Sequence, residues 1–316
     1  SALLFVACLM FAGWTPLVHA ADAPATVSAT PQNVILISWD GLDRRILKQL
    51  LEEKKLPHLA ALIEEGSLRE ITVVGHITVT KPGHAEMLTG LDIKDTGVES
   101  NMKYRPIPQG YTLFERVQKF LGGKEKIRTF MVTGKIAHVG GRGPGEGIGE
   151  RPGMQPKKKF KATPGADDSP EKEVLGEPFF LTKKALDVFD ADQRHAKEVG
   201  ELAMKYLDQY KSPRFLAFIH FADPDEAGHG RGMGSPEYSR AAVRCDNWLG
   251  KIVAWLKKEG LSDKTLIYVM ADHGFDDMGA KGHKNAPLSW LATNDKTVMR
   301  DGIIADVPVT IMERFG

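Results

Sequence analysis

At 316 residues the chain is long enough to bury a sizeable core, as one large domain or two small ones. With 42% hydrophobic and 26% charged residues, its composition is that of a globular protein. A formal net charge of +1 argues against a broad nucleic-acid footprint but not against a small anionic substrate, whose binding depends on the charge inside a cleft.

Residues 2–18 are apolar, interrupted by Gly13 and Pro16, and Val18-His19-Ala20 fits a small-x-small cleavage site. This predicts a signal peptide over residues 1–20; the stretch is short for a membrane span, and a retained anchor is the alternative. With no initiator Met and no basic stretch ahead of it, the first few residues are expected to be missing. Export to the periplasm or beyond follows, with no stable membrane span after cleavage. The mature chain then carries Cys245 as its single cysteine, so its stability is expected to come from the core and not from a disulfide.

Residues 21–32, rich in Ala, Thr and Pro, read as a linker before one domain over 33–316. Asn33-Val34-Ile35-Leu36-Ile37-Ser38-Trp39 is a largely apolar run, as expected of a strand buried on both faces. Residues 42–65 have helical spacing, broken near Pro57 and stopped by Gly66. A second strand is predicted at 71–74 and a helix at 82–88, with Thr80 and Lys81 at its start. Further strands are predicted at 127–132, 215–221 and 265–270, the last two preceded by helical segments at 193–210 and 236–259. Strands alternating with helices imply a mostly parallel sheet covered on both faces, a three-layer α/β/α fold. Residues 140–176, dense in Gly, Pro and Lys, break this rhythm and read as an insertion: a lid, or equally a solvated loop.

Sites in such folds lie at the carboxyl ends of strands, where Asp40, Asp225 and Asp272 fall. Asp225 and His229 are four apart directly after a strand, and a carboxylate with an imidazole suits Zn²⁺. Asp272-His273 offers the same donor pair; adjacent side chains of a strand point to opposite faces, so the chain must turn here, as Gly274 permits. His283, in a loop, is the one histidine after His273, and the need for a third ligand favours it. Thr80 is the candidate nucleophile. A hydroxyl needs activation, which a metal ion and a helix N-terminus supply. Thr80 could also be only the helix N-cap, with Pro82 near the first helical position.

Taken together, these residues resemble the alkaline phosphatase superfamily, and within it the type I phosphodiesterase/nucleotide pyrophosphatase family, over nearly the whole mature chain. Ser38-Trp39-Asp40-Gly41 looks like the family's opening metal-binding Asp-Gly. Leu56-Pro57-His58-Leu59 with Glu65-Gly66 looks like its Pro-x-Leu helix. Thr80-Lys81-Pro82-Gly83-His84 through Thr89-Gly90 is similar to its nucleophile segment. The resemblance implies an alkaline phosphatase-like fold with two Zn²⁺ ions, Mn²⁺ being the alternative. It assigns one ion to Asp225, His229 and His283, the other to Asp40, Thr80, Asp272 and His273, and a phosphoryl oxygen to Asn101. Asp306-Val307-Pro308-Val309-Thr310-Ile311 resembles the closing strand-helix segment, and the C-terminus soon after it is expected to be incomplete. Thr80 and His84 stand where sulfatases need a Cys or Ser and an Arg, which argues against sulfatase chemistry.

The implied function is a periplasmic or secreted hydrolase of small anionic phosphate esters acting through a phosphothreonine. A monoesterase would need one more cationic group, for which Lys81, Lys135, Arg142 and Arg231 are available. A phosphonate hydrolase, a phosphomutase-like transferase and a non-catalytic binding protein are the alternatives.

Overall fold

The computed structural model describes residues 33–143 and 176–316. The predicted leader and linker, and most of the predicted insertion, lie outside the described residues. Among the described residues, the strands are β1 (Asn33–Trp39), β2 (Ser67–Thr72), β3 (Arg128–Thr133), β4 (Val188–Ala191), β5 (Phe215–Phe221), β6 (Thr265–Met270), β7 (Leu288–Thr293) and β8 (Gly302–Ile303). They form one sheet in the order β4-β3-β5-β1-β6-β7-β2-β8, parallel throughout except for the two pairings made by β7. The helices are α1 (Arg44–Glu52), α2 (Pro57–Glu65), α3 (Thr80–Thr89), α4 (Ile93–Thr96), α5 (Leu113–Phe120), α6 (Ile136–Val139), α7 (Ala196–Gln209), α8 (Asp223–Arg231), α9 (Pro236–Lys258) and α10 (Asp306–Arg314).

Period-two alternation divides the apolar residues between two cores. β1 sends Ile35, Ile37 and Trp39 to one face and Val34 and Leu36 to the other. β5 does the same with Phe215, Ala217, Ile219 and Phe221 against Leu216 and Phe218. The first core is closed by Leu47 of α1, Leu59 of α2, Val199 of α7 and Leu249 of α9. The second is closed by Leu88 of α3, Val117 of α5 and Ile311 of α10. The result is the expected three-layer α/β/α architecture. No helix among the described residues is long and apolar enough to cross a membrane.

The helical stretch at 42–65 is two helices. The break falls near Pro57 as predicted: Pro57 starts α2, because the first turn needs no N–H from it. The strand predicted at 71–74 runs over 67–72, where half-buried Arg69 and Glu70 masked it. β7 pairs with it antiparallel and, like β4 and β8, was not predicted. The closing segment at 306–311 is wholly helical, the short strand β8 preceding it. Cys245 is buried on α9 as packing, and burial pushes its thiol up.

Leu249 is fully buried in the first core. Leu249→Ala is expected to destabilise the fold by about 2–5 kcal/mol in chemical denaturation. A loss under about 0.5 kcal/mol, the scale of a surface change, would mean that α9 does not pack as described.

Candidate active site

Asp40 follows β1, Asp225 lies in the first turn of the helix after β5, and Asp272 follows β6. These three strands are hydrogen-bonded neighbours running parallel, so the three carboxylates converge at one edge of the sheet. Asp225 and His229, directly after β5 as expected, share a face of helix α8 at i and i+4. Asp223, Asp225 and Glu226 fill its first turn, where negative charge suits the helix dipole.

The glycine expected to turn the chain at Asp272-His273 does something else. Gly274 has no positive φ; a Cβ there would stand 2.5 Å from Asp43 Oδ2. Gly41 is the residue with φ of +66°, and a Cβ on it would stand 2.9 Å from Asp225 Oδ1. It therefore lets the β1 turn approach α8 without displacing that carboxylate.

Three imidazoles are oriented alike. Nδ1 donates to a backbone carbonyl in each: His229 to Lys281 at 2.6 Å, His283 to Thr78 at 2.7 Å, and His273 to Gly274 at 2.9 Å. This tautomer leaves each Nε2 lone pair available, as metal-ligating histidines require. His229 Nε2 and His283 Nε2 are 3.0 Å apart, and the His273 and His283 rings stack at 3.9 Å. Burial holds the His283 imidazole below its ordinary range, with the nearby His273 adding to that, which favours the neutral ligand form.

The carboxylates are buried, and each has one partnered and one bare oxygen. Asp40 Oδ2 accepts from Lys135 Nζ and His220 Nε2, both at 2.9 Å. Asp225 Oδ2 accepts from Lys135 Nζ at 2.5 Å, and Asp272 Oδ1 from the Gly41 N–H at 3.0 Å. Asp40 Oδ1, Asp225 Oδ1, Asp272 Oδ2 and His273 Nε2 are buried with no hydrogen-bond partner. Burial alone would raise the Asp40 carboxyl, but Lys135 and His220 outweigh it and hold the group well below the usual carboxylate range. Burial would likewise lower the Lys135 ammonium, but Asp225 and Asp40 push it above the ordinary lysine range.

Bare buried acceptors beside bare imidazole nitrogens are costly unless a cation satisfies them. The donors form two clusters, each with its atoms within 4.8 Å of one another: Asp225, His229 and His283; and Asp40, Asp225 and His273. The first is the set assigned from the sequence. The second keeps Asp40 and His273 but brings in Asp225, so this residue borders both clusters. Asp272 stays close by, its Oδ2 3.3 Å from His273 Nε2. Oxygen and nitrogen donors of this kind fit zinc.

Thr80 is the first residue of α3, and the cap position belongs to Val79, so Thr80 is not the N-cap. Its hydroxyl lies 3.4 Å from Lys135 Nζ. Every residue of α3 is buried. His84, one turn on, donates from Nδ1 to the Thr80 carbonyl at 2.8 Å, and its Nε2 meets Ser38 Oγ at 2.9 Å. Asn101 Oδ1 accepts the Lys81 N–H at 2.9 Å, which places Asn101 at the same helix start. The Lys81 ammonium turns to Glu177 and the Tyr104 ring, at 3.1 and 3.3 Å, and burial lowers it to about 8.

One residue escaped the sequence reading and another was only one candidate among several cations, Lys135, whose signal is a lysine shortly after the carboxyl end of β3. His220 is hidden inside the apolar run of β5, and a lone imidazole in a doubly buried strand is the signal that could have found it.

The sheet order, the covering helices and the clustered Asp and His donors define an alkaline phosphatase-like fold. The alkaline phosphatase of the Antarctic bacterium TAB5 superposes with a TM-score of 0.55 at 13% identity, covering 90% of this chain and 98% of that one. A phosphonate monoester hydrolase of Silicibacter pomeroyi gives 0.55 at 14% identity, over 90% and 73% of the two chains. Within that fold, residues 34–313 match the family described as type I phosphodiesterase / nucleotide pyrophosphatase, and the chain belongs to it. The human bis(5'-adenosyl)-triphosphatase ENPP4 is 24% identical over 248 residues, 78% of this chain and 48% of that protein. The chain thus spans about half the length of the curated relatives it matches.

Proposed function

We propose that this chain is a periplasmic or secreted hydrolase of small phosphate esters, of the phosphodiesterase/nucleotide pyrophosphatase type, acting through a phosphothreonine at a two-zinc site. The observation that supports it most is the Thr80 hydroxyl at the N-terminus of α3, beside two clusters of donors in which Asp40 Oδ1, Asp225 Oδ1 and His273 Nε2 are buried without hydrogen-bond partners. Thr80 Oγ1 attacks phosphorus, and the bond to the leaving alcohol breaks. Water then cleaves the phosphothreonine and restores the hydroxyl. Asn101, its Oδ1 held by the Lys81 N–H, would donate its amide N–H to a phosphoryl oxygen. The positive end of α3 favours the anion that approaches it. Asp225, His229 and His283 would hold one ion, and Asp40, Asp272, His273 and Thr80 the other, with Asp225 bordering both; bound there, the metals would supply Lewis acidity that lowers the hydroxyl pKa and neutralises charge.

The test is a hydrolysis panel of p-nitrophenyl phosphate, its bis-ester and a phosphonate monoester, with added Zn²⁺ or Mn²⁺, alongside metal analysis of protein purified without chelator. Turnover and two zinc ions per chain are expected. Metal content near zero with activity intact would remove the metal-dependent reading.

A further inference from the structure

Lys81 follows Thr80 on α3 and meets the loop that carries Asn101 twice. Residues 97–105 form a hairpin closed on itself: Val98 and Tyr104 make an antiparallel bridge, and the Arg105 N–H donates to the Gly97 carbonyl at 3.0 Å. Ser100 Oγ accepts the Lys103 N–H at 2.9 Å and fixes the turn from within. Asn101 stands at the tip, beside Met102, which is 70% exposed. A tip so open takes its place from its contacts with the rest of the fold. The Lys81 N–H donates to Asn101 Oδ1 at 2.9 Å, and the Lys81 ammonium lies over the Tyr104 ring, 3.3 Å from its centroid. The same ammonium donates to Glu177 Oε2 at 3.1 Å.

Lys81 is buried, and a buried ammonium is costly unless it is matched. The Glu177 carboxylate and the negative face of the Tyr104 ring match it. Its charge is therefore spent on the hairpin and on Glu177, and it adds no net cation for a phosphoryl group. What the side chain can do is hold the base of the hairpin while the N–H holds the tip. Tyr104 also packs against the second core, so the ring is a firm point to grip. A displacement of about 1 Å at a group that meets the substrate is enough to cost about 100-fold in rate. We infer that Lys81 is a positioning residue, which clamps the 97–105 hairpin to the first turn of α3 so that the Asn101 amide meets a phosphoryl oxygen of the substrate at Thr80. The inference rests on the role given to Asn101 above and adds what keeps that residue in place.

The experiment measures kcat/KM for bis(p-nitrophenyl) phosphate, and metal content per chain, in the wild type, Lys81→Met, Lys81→Arg, Asn101→Ala and the Lys81→Met/Asn101→Ala double variant. Substitution at 81 leaves the N–H in place, so an effect on rate must travel through the hairpin. Lys81→Met is expected to lower kcat/KM by about 10- to 100-fold with metal content unchanged. Lys81→Arg, which keeps a cation over the ring, should recover most of the rate. Asn101→Ala alone should cost about 100- to 1,000-fold, and adding Lys81→Met to it less than about 3-fold more, because the group that Lys81 positions is gone. Losses that multiply in the double variant, or a normal rate in Lys81→Met beside an impaired Asn101→Ala, would overturn the clamp and leave the role of Asn101 standing. A normal rate in Asn101→Ala would remove that role and the clamp with it, and a wild type inert toward the diester would overturn the hydrolase reading itself. If Lys81→Met does not fold, Tyr104→Leu takes the ring away from the other side of the contact, and the same comparison in the Asn101→Ala background decides.

Discussion

Thr80→Ala is expected to lower kcat by about three to six powers of ten, the range seen when a covalent nucleophile is removed and only binding and charge stabilisation remain. Fold and metal content should change little. Thr80 is not the N-cap of α3, and with Val79 in that position no capping hydrogen bond is lost. The stability change should therefore stay within about 1 kcal/mol, below the larger cap losses. Thr80→Ser keeps the hydroxyl and should keep part of the rate. Measuring kcat and the unfolding midpoint on one preparation separates chemistry from stability. Normal turnover by Thr80→Ala would end the covalent mechanism and require a site built around an attacking water.

Asp225→Ala is expected to release metal from both clusters and to lower kcat by at least about three powers of ten, because Asp225 has donor atoms in each. His229→Ala removes a donor from one cluster only, so that variant should keep one ion. The contrast is read as metal stoichiometry per chain after dialysis. Two ions retained by Asp225→Ala would mean that the clusters do not share this residue. Part of the loss will be electrostatic, since Lys135 is left with Asp40 alone.

Strands buried on both faces were plain in the sequence. β1 and β5 are runs of apolar residues with nothing else to become, and their carboxyl ends located Asp40 and Asp225. β2 and β7 were less visible because their pairing is antiparallel, and Arg69 and Glu70 gave β2 no clear period. Helix α8 was not predicted, because Gly228 and Gly230 are poor helix formers, and its stability comes from the packing of α8 on α9 and its acidic first turn. The donor types were legible because carboxylate and imidazole recur at matching places along the chain. The sharing of Asp225 between clusters was not, since it depends on which oxygen points where. His220 was hidden, and Lys135 not singled out, for the same reason: only the assembled sheet brings the residues of β5 and those after β3 to Asp40.

Because α3 is enclosed along its whole length, the Thr80 hydroxyl rides on an element with no free side on which to shift. Descendants of this chain under selection for new substrates would then vary the surrounding loops and leave the helix alone. A library randomised at the exposed Met102 and Met278 should yield altered preferences in folded protein, whereas one randomised along α3 should yield mostly chains that fail to fold.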